Sequence, residues 1–238
     1  MAVANMLLEK IARLGGRNMG KVILACSSLT DYIDLAQKKL QTDHQVIYLD
    51  RKNHLNPLRM NELIAETLAA LPDNTDTVLV CMGYCGGSWE KIIVPCRVVI
   101  PRVDDCVSLL LQTDDNYHPN LKQRDHLYMK DKNPQDFSLI RAFEGWTAKM
   151  TPEEKEKTRR AWTAIYNEID IVDTGMYDCH SEMYIAEAQR NAEWINGIVK
   201  YVPGSNRIIE KLLLGKWDCQ FFVAEAGQTI TKYDLLSE

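Results

Sequence analysis

The chain has 238 residues, of which 46% are apolar and 26% charged, and its formal net charge is -5. That is enough material for one large α/β domain or two small ones, and the acidic balance argues against a nucleic-acid or anionic-membrane partner, since both favour a basic face. No apolar run approaches the roughly 20 residues of a membrane span, and Glu9, Lys10 and Arg13 interrupt the N-terminus as a signal peptide. The expected compartment is therefore the cytoplasm. In a reducing compartment the seven cysteines are ligands or nucleophiles rather than disulfides when they stand in loops.

In chain order, helical spacing runs over residues 4–14 (Leu7, Leu8, Ile11, Leu14) and stops at Gly15-Gly16. Residues 22–25 read as a first strand ending at Cys26, and Ser27, Ser28 and Thr30 offer N-cap chemistry to a helix through Leu40. Residues 46–49 are a second strand, followed by the turn-rich DRKNHLNPLR containing His54, and 61–71 an amphipathic helix. The short β-branched runs 78–80 and 97–100 predict buried strands. The first empties into the GYCGG loop around Cys85, and the second into PRVDDC, where Cys106 opens a short apolar helix over 107–111.

Residues 113–136 are polar and suit a mobile insertion or lid. Residues 152–168 form a charged helix opened by a Thr151, Pro152, Glu154 capping box. The alternation then resumes with a strand over 169–172 running into DTGMYDCH, a helix over 181–195, a strand over 199–202, a helix over 205–214 stopped by Gly215, and a strand over 221–224. Strand–helix alternation predicts a parallel sheet. The expected fold is thus α/β, two Rossmann-like parallel-sheet halves facing a shared crevice and joined by a helical insertion, with boundaries 1–112, 113–168 and 169–238. GxGxxG, GxxxxGK[ST], GxSxG and HExxH are absent.

Cys26, His54, Cys85 and Cys106 follow the first four strands, and the carboxyl edge of such a sheet is where α/β folds put their ligands. Three cysteines and a histidine make a closed zinc set, while three thiolates with an open position suit a catalytic zinc or a [4Fe–4S] cluster with one free iron. The bland alternative is that these cysteines are small buried hydrophobes, which is the expectation for Cys81, Cys96 and Cys219; His44, His118 and His126 are expected to be solvated. Tyr84 and Gly86 flank Cys85 as substrate-binding candidates, and Gly86-Gly87-Ser88 suggests an anion nest. In DTGMYDCH, Thr174, Gly175 and Tyr177 are candidates to hydrogen-bond a substrate, and Cys179 or His180 to reach a metal. The alternative there is a helix N-cap by Asp173 or Thr174.

At these residues the chain resembles an uncharacterised bacterial and archaeal family, domain of unknown function sixteen thirty-eight. The likeness rests on Cys26, His54 with Pro57, Tyr84-Cys85-Gly86, Cys106, Gly145-Trp146, Asp173 to Gly175, and Leu213 to Asp218. Asp105-Cys106 stands where the family pattern has His-Cys. The resemblance implies a setting beside corrinoid-dependent methyltransferase components. The expected function is therefore a zinc-binding enzyme of one-carbon metabolism, transferring methyl groups in concert with a corrinoid carried by a partner protein or with a substrate thiol. A three-cysteine iron–sulfur enzyme, a zinc-stapled accessory protein docking on that system, and a metal-free binding domain remain the alternatives.

Overall fold

The computed structural model describes residues 20–237, so the helix expected over 4–14 lies outside the described residues. The elements are β1 (Lys21–Cys26), α1 (Thr30–Leu40), β2 (Gln45–Leu49), α2 (Pro57–Ala69), β3 (Thr77–Cys81), β4 (Ile92–Ile93), β5 (Arg97–Pro101), α3 (Cys106–Leu111), β6 (His126–Met129), α4 (Leu139–Trp146), α5 (Pro152–Thr163), β7 (Glu168–Asp173), α6 (Glu182–Ile195), β8 (Ile198–Pro203), α7 (Arg207–Leu213), β9 (Phe221–Ala224), β10 (Thr229–Ile230) and α8 (Lys232–Leu236). The fold is α/β with predominantly parallel strands. Among the described residues, no helix is long and apolar enough to cross a membrane.

Two compact units share the chain: residues up to Asn120 together with Asn206 onward form one, and Leu121–Ser205 the other. The stretch 169–238, continuous in the sequence pattern, is thus divided. β7 and β8 belong to the second unit, whereas α7 and β9 belong to the first, because β9 pairs antiparallel with β5.

The first unit is built on a five-stranded sheet of order β2-β1-β3-β5-β9. In β1 Val22 to Cys26 are buried without a break, as are Thr77 to Cys81 in β3 and Val98 to Pro101 in β5. Unbroken burial requires cover on both faces of the sheet, which is why these strands read as continuous apolar runs rather than alternating ones. Helix α1 buries Tyr32, Ile33 and Ala36, and Asn206 Nδ2 donates to the Tyr32 carbonyl at 2.8 Å, tying α7 to it. Helix α2 starts four residues earlier than its hydrophobic spacing suggests. Asn56 accepts from the Arg59 amide, and Pro57 takes the first helical position, where its missing N–H costs nothing. Ile92–Ile93 and Thr229–Ile230 form a separate two-stranded antiparallel ribbon.

The second unit has a parallel three-stranded sheet of order β6-β7-β8. Ile169 and Ile171 of β7 pack with Met129, Tyr184, Ala188 and Ile195 in one apolar cluster, while the alternate residues Glu168 and Asp170 face the other way. Phe143 of α4 meets Trp162 of α5 edge-on at 5.9 Å and Trp194 of α6 at 5.1 Å. The Thr151–Glu154 capping box forms as expected, but α5 ends at Thr163 because Glu168 begins β7. Part of the polar stretch 113–136 is strand: β6 pairs with β7 from His126↔Glu168 to Met129↔Ile171.

Candidate functional site

Strand order fixes where the first unit's site lies. Reading outward from β1, the chain goes to β2 on one side and to β3 on the other, and a crevice opens at the carboxyl ends where the order reverses. Cys26 is the last residue of β1 and Cys81 the last of β3, and Cys106 opens α3 beyond β5. The Cys26 thiol is pushed far up from its ordinary pKa, first by the hydrogen bond it shares with Cys106 and then by burial. Cys81, fully buried, is pushed up by desolvation and then by the neighbouring Cys106. Three thiols from distant points in the sequence are thus neighbours beneath the sheet edge.

Serines 27 and 28 are engaged at this edge rather than as helix caps. Ser28 Oγ lies 3.2 Å from Cys26 Sγ, Ser27 Oγ accepts the Arg51 amide at 2.9 Å, and α1 starts without a side-chain cap. A 3-10 turn, Ser27–Leu29, stands between strand and helix and displaces the cap position.

The loop after β3 docks on the turn after β5 by two backbone bonds, Tyr84 N to Val103 O at 2.9 Å and Cys85 N to Asp104 O at 2.7 Å. Approach is so close that a Cβ on Gly83 would stand 2.6 Å from the Asp105 backbone. Cys85, Gly86 and Gly87 then turn through φ values of 48°, 69° and 109°, a run that glycine tolerates and that costs a cysteine about 1–2 kcal/mol. Both the Gly87 and Ser88 amides turn back to the Tyr84 carbonyl, so they do not form the expected anion nest.

Cys85, His54, Tyr84 and Gly86 line a cavity of about 480 Å³ together with Asp104, Asp105, Lys232 and Leu236. The Tyr84 hydroxyl donates to Glu90 Oε2 at 2.8 Å, an oxygen that also accepts the Lys232 amide. Asp105 Oδ1 caps α3 by accepting from the Val107 and Ser108 amides. The four expected ligands therefore fall into two pairs: Cys26 with Cys106, neither of which lines the cavity, and Cys85 with His54, which both do. Among the described residues they do not gather as one set of ligand atoms within 4.8 Å; the groups that do are Asp173–Cys179–His180 and His126–Glu168–Asp170.

A family model described as "Protein of unknown function (DUF1638)" matches residues 48–213. The chain belongs to this family. No curated protein and no solved structure matches the DUF1638 chain.

In the DUF1638 chain's second unit, the Asp-Thr-Gly turn at the end of β7 is built on Asp173. Its Oδ1 accepts the Gly175 amide at 3.1 Å and its Oδ2 lies 3.2 Å from His180 Nε2, and these contacts hold the carboxyl below its usual range. Asp173 thus closes a turn instead of capping α6, whose N-cap Ser181 makes no side-chain cap bond. Thr174 Oγ1 accepts the Met176 amide. Tyr177 donates its hydroxyl to the Val172 carbonyl at 2.9 Å and stacks on Tyr184, which engages it inside the unit. Cys179 is buried and pushed up to about 11, and His180 stacks on Tyr201 at 4.6 Å.

Three expectations for isolated residues fail. Cys219 is exposed and Cys96 only half-buried rather than core, and His126 is not solvated but is a strand residue bonded to the buried Asp170. The sequence also missed Asp104, Lys232 and Leu236 in the cavity, and the pair Glu168 and Asp170. The spacing of that pair in EIDIVD, two acids alternating with the buried Ile169 and Ile171, was the available signal.

Thiol accessibility gives a direct check. Brief alkylation of the native DUF1638 protein should modify Cys219 first and half-buried Cys96 more slowly, leaving Cys26, Cys81, Cys85, Cys106 and Cys179 unmodified until denaturant is added. Peptide mapping by mass spectrometry reads the order, and early labelling of Cys26 or Cys106 would contradict their burial.

Proposed function

We propose that the carboxyl edge of the five-stranded sheet is the active edge of a cytoplasmic, thiolate-metal enzyme of methyl-group metabolism. The carrying observation is that Cys26 at the end of β1 and Cys106 at the start of α3 are both buried at this edge and close enough to act on one another. The donor set fits a soft cation: burial and the neighbouring Cys106 push the Cys26 thiol up, and a metal that draws off its proton relieves both effects.

Cys26 and Cys106 would hold the ion, with Cys85 and His54 approaching from the cavity side as further ligands or neighbours. When bound, zinc supplies a Lewis acid or keeps a sulfur deprotonated and nucleophilic. The cavity's own groups then position a small substrate, with Lys232 as a donor, Asp104 and the Tyr84 hydroxyl oxygen as acceptors, and Leu236 as an apolar wall that excludes water. Methyl exchange with a corrinoid on a partner protein, or with a substrate thiol, is the reaction the family resemblance favours. Every residue named belongs to the first unit.

Elemental analysis and an absorption spectrum of anaerobically purified protein test this. One sulfur-bound zinc ion per chain, colourless, or one iron–sulfur cluster, brown, is expected, and it should be lost in both Cys26→Ser and Cys106→Ser. Wild type without a sulfur-bound ion, or a sulfur-bound ion kept by both variants, would refute the thiolate site. Unfolding on removal of the ion would instead mark a structural staple, since structural zinc contributes about 10 kcal/mol or more to folding.

A further inference from the structure

The second unit contains a polar cluster that the thiol edge does not use. Register sets His126 of β6 opposite Glu168, and Tyr128 and Lys200 opposite Asp170, so these side chains share one face of the small sheet. Glu168 is 5% exposed and Asp170 1%. Two carboxylates buried side by side cost several kcal/mol each unless compensated. Lys200 Nζ meets Glu168 Oε2 at 2.6 Å. His126 faces both carboxylates through one ring nitrogen, its Nδ1 lying 2.7 Å from Asp170 Oδ2 and 3.4 Å from Glu168 Oε1, while Asp170 also engages Glu168 and the Tyr128 hydroxyl. A single proton on that nitrogen bonds only one of them well, and Asp170 Oδ1 is buried with no hydrogen-bond partner.

We propose that His126, Glu168 and Asp170 form a binding site for a divalent first-row metal cation with nitrogen and oxygen ligation. The three ligand atoms lie within 4.8 Å of one another. The two edges at Nδ1, 2.7 and 3.4 Å, bracket the roughly 3.0–3.4 Å that separates ligands around an ion with bonds of about 2.1 Å. A cation in this triangle replaces the shared proton, satisfies both carboxylates and brings the unpartnered Asp170 Oδ1 within reach as a fourth donor. Ligation through Nδ1 places the ring proton on Nε2, which faces Asp125 Oδ1 at 3.6 Å. Asp125 is itself held by Asn167 Nδ2 at 2.8 Å. A carboxylate behind a metal-binding histidine is the usual arrangement for fixing ring tautomer and orientation.

The site is independent of the cysteines, and the test keeps them apart. Metal-stripped full-length protein is titrated with Mn²⁺, following loss of the free-ion EPR signal, and with Co²⁺, following its visible absorption. The titrations are repeated in the Cys26→Ser/Cys106→Ser double variant. One ion is expected at this site in both proteins, with a cobalt spectrum free of sulfur charge-transfer bands in the double variant. Asp125→Asn should weaken it about 10- to 100-fold and His126→Gln or Asp170→Asn at least as much. His126 is at the partly exposed rim, so His126→Gln keeps the test valid if Asp170→Asn does not fold, as judged by circular dichroism. Absence of binding in the double variant, or affinity unchanged by His126→Gln, overturns the proposal whatever the fate of the thiolate site.

Discussion

Gly83→Ala is expected to destabilise the first unit by about 3 kcal/mol, the upper range for forcing a methyl into packed space, which corresponds to a fall in melting temperature of roughly 6–12 °C. Gly83 has no neighbour it can displace cheaply. The added carbon would sit 2.6 Å from both N and Cα of Asp105 and 2.9 Å from its carbonyl carbon, all backbone atoms. Relief requires the loop and the 101–105 turn to part, breaking the Tyr84–Val103 and Cys85–Asp104 bonds and separating the segment that carries Cys85 from the one that carries Cys106. The same variant should therefore make Cys85 open to alkylation in native buffer. Gly145→Ala is the control. It lies in α4 with nothing within 4 Å of its added carbon, so helix propensity predicts a gain of up to about 1 kcal/mol. Equal melting temperatures for the two variants would refute the close approach at Gly83.

Arg102→Ala is expected to release the C-terminal segment and cost about 3 kcal/mol, since hydrogen bonds from a charged donor contribute about 1.5–3 kcal/mol each and water recovers part of the loss. Arg102 Nε donates to Asp234 O at 3.1 Å, one terminal nitrogen to Cys219 O at 3.2 Å and the other to Ser237 O. The guanidinium lies 4.0 Å above the Tyr117 ring, and the Tyr117 hydroxyl donates to Leu235 O at 3.1 Å. Removing the fork frees carbonyls on and around α8, the helix that contributes Lys232 and Leu236 to the cavity wall. Limited proteolysis should then cut within residues 231–237 well before any site in wild type. Arg102→Lys should rescue little, because an ammonium cannot span three diverging carbonyls. An unchanged cleavage pattern would show that α8 is held by its own packing.

The central strands were legible because complete burial leaves a continuous apolar signature. Val78 to Val80 and Val98 to Ile100 could hardly stand anywhere but inside a covered sheet. Helix α5 was equally plain at its start, since the Thr151–Glu154 box is a local device. Less visible were the elements that exist through their partners. β4 and β10 are two residues each and hold only by pairing with one another. β6 lies in a polar stretch and is a strand because β7 offers it a register. Ser27, Ser28 and Asp173 had the right chemistry for helix caps, yet a 3-10 turn in one case and a closed turn on Gly175 in the other gave their oxygens nearer donors.

From its residues alone, this chain determined its class, its buried strands and the fact that cysteines stand where those strands stop, because apolar periodicity and turn chemistry act over a few residues. Which thiols meet was decided by tertiary structure. Cys26 reaches Cys106 because strand order brings β1, β3 and β5 side by side and because Gly83 lets the intervening loop lie against the Asp105 backbone. The same holds for His126, Glu168 and Asp170, which parallel pairing of β6 with β7 places on one face. Proximity between side chains far apart in sequence is a property of register and packing, and no local pattern encodes it.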